Sequence, residues 1–230
     1  MKQVKGFTLI EMLVSMTLLT MLLLLTMTAY SFFSERWNGR LGHYNQSLYS
    51  TKNLLITSDI LQSIISYVVV DDEKKPAYYF EGNINGFVAV SNSSFAKPGI
   101  ASVIRLQVTQ NNDFTFNLFY QEAVMDSLLL VTHNQPLSFD QGQVLFENLT
   151  DIRMEYFGWP TRADKFYDET TGTRGQSPKG WFTNYNSIER GLHPEQLKIT
   201  LTSSEGTQTI HIQLNDARTT LFKNYYGEDA

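Results

Sequence analysis

The sequence has 230 residues, of which 42% are hydrophobic and 13% aromatic, a composition that fits a folded chain and excludes a disordered one. Its length suits one sizeable domain, or a domain plus an anchor. The net charge of −5 provides no basic field for nucleic acid, so no nucleic-acid partner is expected. The absence of cysteine excludes disulfides, thiolate nucleophiles and most structural zinc sites.

The N-terminal segment is long and apolar. Residues 12–34 contain no Asp, Glu, Lys or Arg, and as a helix they span about 35 Å, enough to cross a hydrocarbon core. Lys2 and Lys5 precede this span and favour a cytoplasmic N-terminus, which places the rest of the chain outside. A cleaved secretory signal is the alternative, but Thr26–Ala29 is a poor cleavage site and the apolar run exceeds the usual ~7–15 residues.

Helical spacing continues beyond the apolar span. Trp37, Leu41, Tyr44, Leu48 and Leu55 recur at helical intervals, and a broader apolar face follows them. The pattern predicts one helix from about residue 7 to about residue 68. The glycines at 39 and 42 are weak points, so two separate helices joined at Asn38–Gly42 remain the alternative.

After the helix, the sequence alternates with period two. Strands are predicted at Phe87–Asn92, Ser102–Gln110, Phe114–Glu122, Ser127–His133, Leu149–Phe157, Gln196–Ser203 and Thr207–Leu214. Asn111–Asp113 and Ser203–Gly206 are predicted hairpin turns. Residues 158–193 show no periodicity and are predicted to form a long loop. The predicted fold class is α+β: a long N-terminal helix packed on an antiparallel sheet.

Glu11 lies at the edge of the apolar run, where a charge is costly without a partner. It ends the segment Lys5-Gly6-Phe7-Thr8-Leu9-Ile10-Glu11. This segment and the uncharged span after it strongly resemble the N-terminus of type IV pilin-like proteins. A pilin-like fold is implied.

The resemblance implies a processing step and a topology. A prepilin peptidase is expected to cut between Gly6 and Phe7 and to N-methylate Phe7. Residues 1–6 would then be a leader, 7–34 a single transmembrane and assembly helix in the bacterial inner membrane, and 35–230 a periplasmic domain. In a helix bundle a neighbour's Phe7 amine can pair with Glu11. The alternative is that Glu11 is merely solvated at the lipid interface.

The downstream domain more loosely resembles the J-type minor pseudopilin of type II secretion systems. Three features carry this resemblance. The step Phe80-Glu81-Gly82 precedes a predicted strand that begins at Phe87, and a later series of spaced apolar residues ends at Tyr156. Residues 179–201 then contain a tryptophan, a proline and a predicted strand, in that order. This resemblance implies a place at the pseudopilus tip, with I-type and K-type minor pseudopilins and the major pseudopilin as partners. The insertion at residues 160–180 departs from the family pattern.

The predicted loop carries two candidate sites. Asp164, Asp168 and Glu169 offer oxygen ligands for Ca²⁺ at short spacing, although the order and glycine of a calcium loop are absent and a solvated loop is the other interpretation. The aromatic residues of the region predict either a partner-binding surface or part of the core. They are Trp159, Phe166, Tyr167, Trp181 and Phe182, with Phe157 and Tyr185 beside them.

The chain contains no Gly-x-Ser-x-Gly elbow, phosphate loop or His-Glu-x-x-His motif, so neither catalysis nor a cofactor is predicted. These features predict a structural minor pseudopilin that supports protein export across the outer membrane. A minor pilin that primes type IV pilus assembly is the nearest alternative. A tip module that binds a surface, an exported protein or DNA, the last disfavoured by the acidic net charge, and a membrane-anchored periplasmic enzyme are alternatives from other classes.

Overall fold

The computed structural model describes residues 8–127, 129–139, 141–171 and 178–214, with side chains described for all of these except 38–50, 141 and 168–171. The chain divides into two compact units, residues 1–51 and residues 52–230. The described part of the first unit is almost entirely helix α1 (Leu9–Gln62), which has 54 residues and also supplies the start of the second unit.

Helix α1 confirms the predicted long N-terminal helix. It is assigned as one helix through Asn38–Gly42, so the alternative of two separate helices is wrong. It ends at Gln62 rather than near residue 68, because the next residues pair as strands. Ile64 and Ile65 are β-branched and pair with Ser91 and Val90, and strand geometry suits such side chains better than a helix does.

The second unit is built from short and medium strands. The strands are β1 (Ile64–Ile65), β2 (Val68–Val70), β3 (Pro76–Tyr78), β4 (Phe80–Asn83), β5 (Gly86–Ser91), β6 (Ser102–Gln110), β7 (Phe116–Val124), β8 (Gln141–Leu149), β9 (Asp151–Gly158), β10 (Gly180–Phe182), β11 (Tyr185–Asn186), β12 (Gln196–Ser203) and β13 (Gly206–Gln213). The helices are α2 (Arg162–Thr171) and α3 (Ser187–Arg190).

These strands form two main antiparallel sheets. The larger has the order β11-β4-β5-β6-β7-β8, with β1 also paired to β5, and the smaller has the order β10-β9-β12-β13. Strands β2 and β3 form a separate two-stranded ribbon. The α+β pilin-like fold predicted from the sequence is therefore confirmed.

The main core lies where the two sheets and the last turns of α1 meet. Leu61 of α1 is fully buried there, which stabilises the fold by about 1.5–3 kcal/mol. Tyr156 of the smaller sheet donates its hydroxyl to the carbonyl oxygens of Asn83 (2.9 Å) and Gly86 (3.0 Å) in the larger one. Its ring occupies the space that a Cβ at Gly82 would need, 2.4 Å from the nearest ring carbon. The Phe-x-Gly step therefore serves sheet packing.

A second, smaller core covers the opposite face of the larger sheet. Val90 and Val103 of the sheet are fully buried there together with Leu130 from the segment after β7. Tyr67 donates its hydroxyl to the Leu130 carbonyl (3.0 Å) and holds that segment against the sheet. Both faces of the larger sheet are thus partly covered.

Most predicted strands are confirmed, some with shifted ends. Ser102–Gln110 and Gln196–Ser203 have the predicted bounds, and both predicted hairpin turns are present. The prediction of a strand at Ser127–His133 is wrong for the residues described: one bridge joins Thr132 to Val70, and the other described residues of the segment belong to no strand. Leu129 (69% exposed), Leu130 (buried) and Val131 (49% exposed) do alternate, but apart from this bridge the described residues of the segment belong to no sheet, so the alternation does not indicate strand pairing here.

The segment 158–193 was predicted to be a loop without regular structure, and that prediction is wrong for its described residues. Helix α2, strands β10 and β11 and helix α3 all lie within it. Strand β10 extends the smaller sheet beside β9, and β11 extends the larger sheet beside β4. Strands of two or three residues carry too short a pattern to be detected by periodicity.

Candidate functional site

Thr8 and Glu11 together cap the N-terminus of helix α1. The Thr8 carbonyl accepts the first helical bond, from the Met12 amide. Glu11 Oε2 accepts hydrogen bonds from the Thr8 amide and the Thr8 hydroxyl, both at 3.1 Å, and the Glu11 amide donates to Thr8 Oγ1 at 3.4 Å. This reciprocal pattern is a capping box, which satisfies amides that the first turn leaves without partners.

The cap gives Glu11 a partner within its own chain, which the sequence analysis did not identify. The signal was present as Thr-x-x-Glu, the spacing of a capping box before an apolar run. A carboxylate in the first turn is also favoured by the positive end of the helix dipole. Glu11 is therefore held in a defined orientation in the single subunit. Gly6 and Phe7 lie outside the described residues, so their expected roles stay predictions.

The apolar span Leu9–Trp37 is long enough and apolar enough to cross a membrane, and none of its most apolar window is buried by protein. Its four threonine hydroxyls are satisfied inside the helix. Thr17, Thr20, Thr26 and Thr28 each donate to a backbone carbonyl three or four residues earlier, at 2.6–3.1 Å. These bonds pair the threonine hydroxyls along the apolar span, and an unsatisfied polar group is costly in hydrocarbon.

Of the three carboxylates predicted as weak calcium ligands, only Asp164 has a described side chain. Asp164 accepts from the Thr161 hydroxyl at 2.7 Å, and its amide donates to Thr161 Oγ1 at 3.2 Å. Thr161 therefore caps the first turn of α2, and the Asp164 carboxylate supports that cap by accepting from the Thr161 hydroxyl. The side chains of Asp168 and Glu169 lie outside the described part of the structure. Within the described residues no group of three His, Asp or Glu is placed to hold a metal ion.

The predicted aromatic cluster divides between core and surface. Trp159 and Tyr185 are buried, and the Tyr185 hydroxyl lies 2.7 Å from where a Cβ on Gly158 would stand. Burial raises the pKa of the Tyr185 phenol, so Tyr185 stays neutral. Phe166 and Tyr167, on the short helix α2, are 65% and 59% exposed.

Trp181 lies at the boundary between these two groups. Its ring packs 5.1 Å from the ring of Phe157 and 5.5 Å from that of His211, with the Lys198 ammonium 4.5 Å from its centroid. Phe182 packs instead on Tyr185, and the Arg190 guanidinium lies over its ring at 4.3 Å. The aromatic residues therefore do not form one surface, and the exposed pair on α2 remains the better candidate for a partner contact.

Glu122 is a buried carboxylate that the sequence analysis did not single out. Burial by itself would raise its pKa, but hydrogen bonds from the Tyr120 hydroxyl, the Ala96 and Phe95 amides and the Ser94 hydroxyl, at 2.7–3.0 Å, hold the pKa below its ordinary value. The carboxylate is ionised and its acceptors are occupied. Glu122 therefore fixes the loop after β5 rather than offering a general base.

Comparison with known proteins bears on the N-terminus. Residues 1–27 match the family described as the prokaryotic N-terminal methylation motif. No curated protein matches the chain. The motif implies other pilin subunits and a prepilin peptidase as partners in general, and with the apolar helix it is consistent with an anchor in the inner membrane. The match supports a type IV pilin-like protein that takes part in pilus or pseudopilus assembly.

Proposed function

We propose that the chain is a structural minor pseudopilin at the tip of a type II secretion pseudopilus. The observation that carries its assembly role is the methylation motif directly before a membrane-length helix whose first turn is already capped by Glu11. The tip position rests on the looser likeness of residues 78–202 to J-type pseudopilins. Its partners would be I-type and K-type minor pseudopilins and the major pseudopilin.

Processing at Gly6 and Phe7 is part of the proposal. Glycine has no side chain, so a protease can approach its carbonyl closely. Cleavage creates a cationic amine at Phe7, and N-methylation retains that charge. Residues 1–6 are then the leader and residues 35–230 the periplasmic domain.

Glu11 is proposed to pair with the Phe7 amine of a neighbouring subunit. Two charges that are each expensive in lipid are stabilised when they meet, and the pairing fixes the stagger between helices. The capping bonds keep the carboxylate at the helix N-terminus before assembly. On assembly, the Phe7 amine of the neighbouring subunit would meet a Glu11 carboxylate that is already oriented.

We propose a structural rather than an enzymatic role. The buried carboxylate Glu122 is occupied by four donors, and the Asp164 carboxylate accepts from the Thr161 hydroxyl. A minor pilin that primes a type IV pilus is the second candidate, because the methylation motif serves both systems equally well.

Deletion of the gene in its own bacterium separates the two systems. We expect exported proteins to accumulate in the periplasm while surface pili persist, and the full-length gene to restore export. Two assays on the same strain suffice: the amount of exoprotein in the medium and pili counted by electron microscopy. Loss of pili with normal export would contradict the type II assignment and favour the type IV pilus.

A further inference from the structure

A cleft of about 230 Å³ lies on the face of the larger sheet that the segment 129–139 partly covers. Its lining includes Tyr79, Glu81, Val88, Arg105, His133 and Phe139. We call it the Arg105 cleft. All of these residues belong to the second unit and none is among the residues assigned above to processing or assembly.

Strand register brings opposite charges to the floor of the cleft. Glu81 of β4 pairs with Val88 of β5, and Val88 pairs with Arg105 of β6. Directly paired residues on antiparallel strands point to the same face of a sheet. Glu81 and Arg105 therefore flank Val88 on one face, about 10 Å apart at the backbone because neighbouring strands lie about 4.8 Å apart.

Both charged groups are available to a ligand. Arg105 makes no ion pair with another described residue, and neither does Glu81, since every described ion pair involves other side chains. The Arg105 guanidinium stacks on Phe139, 3.8 Å from the ring centroid, which fixes its plane. A fixed guanidinium presents a fork of N–H donors that matches a carboxylate.

Two further polar groups line the same cleft. Burial raises the pKa of the Tyr79 phenol, so the hydroxyl stays protonated. The Arg105 charge lowers this pKa and the Glu81 charge raises it, so the hydroxyl lies within the electrostatic field of both groups. His133 Nδ1 is buried and has no hydrogen-bond partner among the described residues. His133 Nε2 lies 3.5 Å from Asp72 Oδ2, which orients the ring. A buried polar atom without a partner normally indicates a missing hydrogen bond.

The wall of the cleft is held in place before any ligand binds. The amide of Val70 donates to the Val131 carbonyl at 2.8 Å, and Asn134 donates its side-chain amide to Asp72 at 2.6 Å. Gln135 accepts from the Val131 amide and donates to the Leu129 carbonyl. The turn that carries His133 is therefore fixed at both ends, and a ligand meets a preformed site.

We propose that the Arg105 cleft binds the α-carboxylate of an amino acid or of a peptide C-terminus, with Arg105 holding the carboxylate and Glu81 accepting from the adjacent nitrogen. Val88 and Phe139 then contact the side chain. The volume lies below the ~300–1,000 Å³ of sites for drug-sized ligands and suits about one residue. This site is independent of the assembly role and gives the second unit a recognition function.

The test is calorimetric titration of the full chain in detergent with three probes: phenylalanine, the dipeptide Gly-Phe, and Gly-Phe amide. We expect the dipeptide or the free amino acid to bind, and amidation to weaken dipeptide binding at least about tenfold because a neutral amide loses the charge-assisted fork. Binding of phenylalanine alone assigns the site to free amino acids. Binding of the dipeptide assigns it to polypeptide ends.

Variants link binding to the cleft. Arg105→Lys keeps the charge but removes the fork of N–H donors, and it is expected to weaken binding of the carboxylate probes about tenfold. Glu81→Gln is expected to weaken binding of free phenylalanine, because the Glu81 carboxylate is proposed to contact its ammonium group. Arg153→Gln, on the other sheet, is the control and should bind as the parent does. All variants are compared by their unfolding temperatures. The proposal is overturned if neither carboxylate probe binds the folded chain up to about 10 mM, or if Arg105→Lys leaves affinity unchanged.

Discussion

Glu11→Gln is expected to leave membrane insertion and cleavage intact but to lower incorporation into fibres at least about tenfold. The glutamine amide oxygen still accepts from the Thr8 amide and hydroxyl, so the cap at the start of α1 persists. The substitution removes the negative charge that the proposed pairing with a neighbouring subunit's Phe7 amine requires. The measurement is the ratio of sheared-fibre to membrane-bound protein by immunoblot.

Thr8→Val is the matched control for this substitution. It removes the hydroxyl that donates to Glu11 and accepts from the Glu11 amide, yet keeps the Thr8 amide donor and the charge. Loss of an N-cap hydroxyl costs about 1 kcal/mol of helix stability. We therefore expect fibre incorporation within about twofold of the parent. Equal defects in the two variants would show that Glu11 acts as a helix cap and would contradict the pairing.

Gly86→Ala is expected to destabilise the second unit by about 3–5 kcal/mol. Gly86 begins β5 with φ = 150°, a conformation that residues with a side chain rarely adopt. A Cβ there would stand 2.0 Å from the Leu106 carbonyl oxygen, and backbone cannot move aside as a flexible side chain can. The Gly86 carbonyl also accepts from Tyr156, so a shift at this point disturbs the contact between the sheets.

Gly206→Ala provides the comparison. Gly206 begins β13 with φ = 143°, but no atom lies within 4 Å of the position that its Cβ would take. The strained backbone alone costs about 1–3 kcal/mol, so the difference between the two variants isolates the clash at Leu106. Denaturant midpoints followed by tryptophan fluorescence in detergent measure both. Equal midpoints would mean that β5 and β6 can separate without loss, against the packing described.

The parts of the fold that sequence could predict are those with a sustained pattern. Ser102–Gln110 alternates over nine residues and was found with its bounds. Strand β8 was missed because it begins Gln141-Gly142-Gln143, residues with weak strand preference, and because register shifts interrupt its pairing with β7. A bulge breaks the period on which strand prediction depends.

The candidate sites also differ in whether a local sequence pattern could predict them. Glu11 was found because it belongs to a local motif, while its cap by Thr8 was overlooked although the two residues are three positions apart. Glu81, Arg105 and His133 are separated by more than twenty residues each, so only strand pairing and the turn after β7 bring them together. No local pattern could have predicted that cleft.

The N-terminal residue of the mature chain tests the central claim most directly. The full-length chain is produced with its prepilin peptidase, and the N-terminal peptide is analysed by mass spectrometry, with Gly6→Ala as the comparison. We predict a chain that begins at N-methylated Phe7, and an unprocessed chain for Gly6→Ala. A mature protein that retains residues 1–6, or that begins after Ala29, would contradict the assignment to pilin-like assembly.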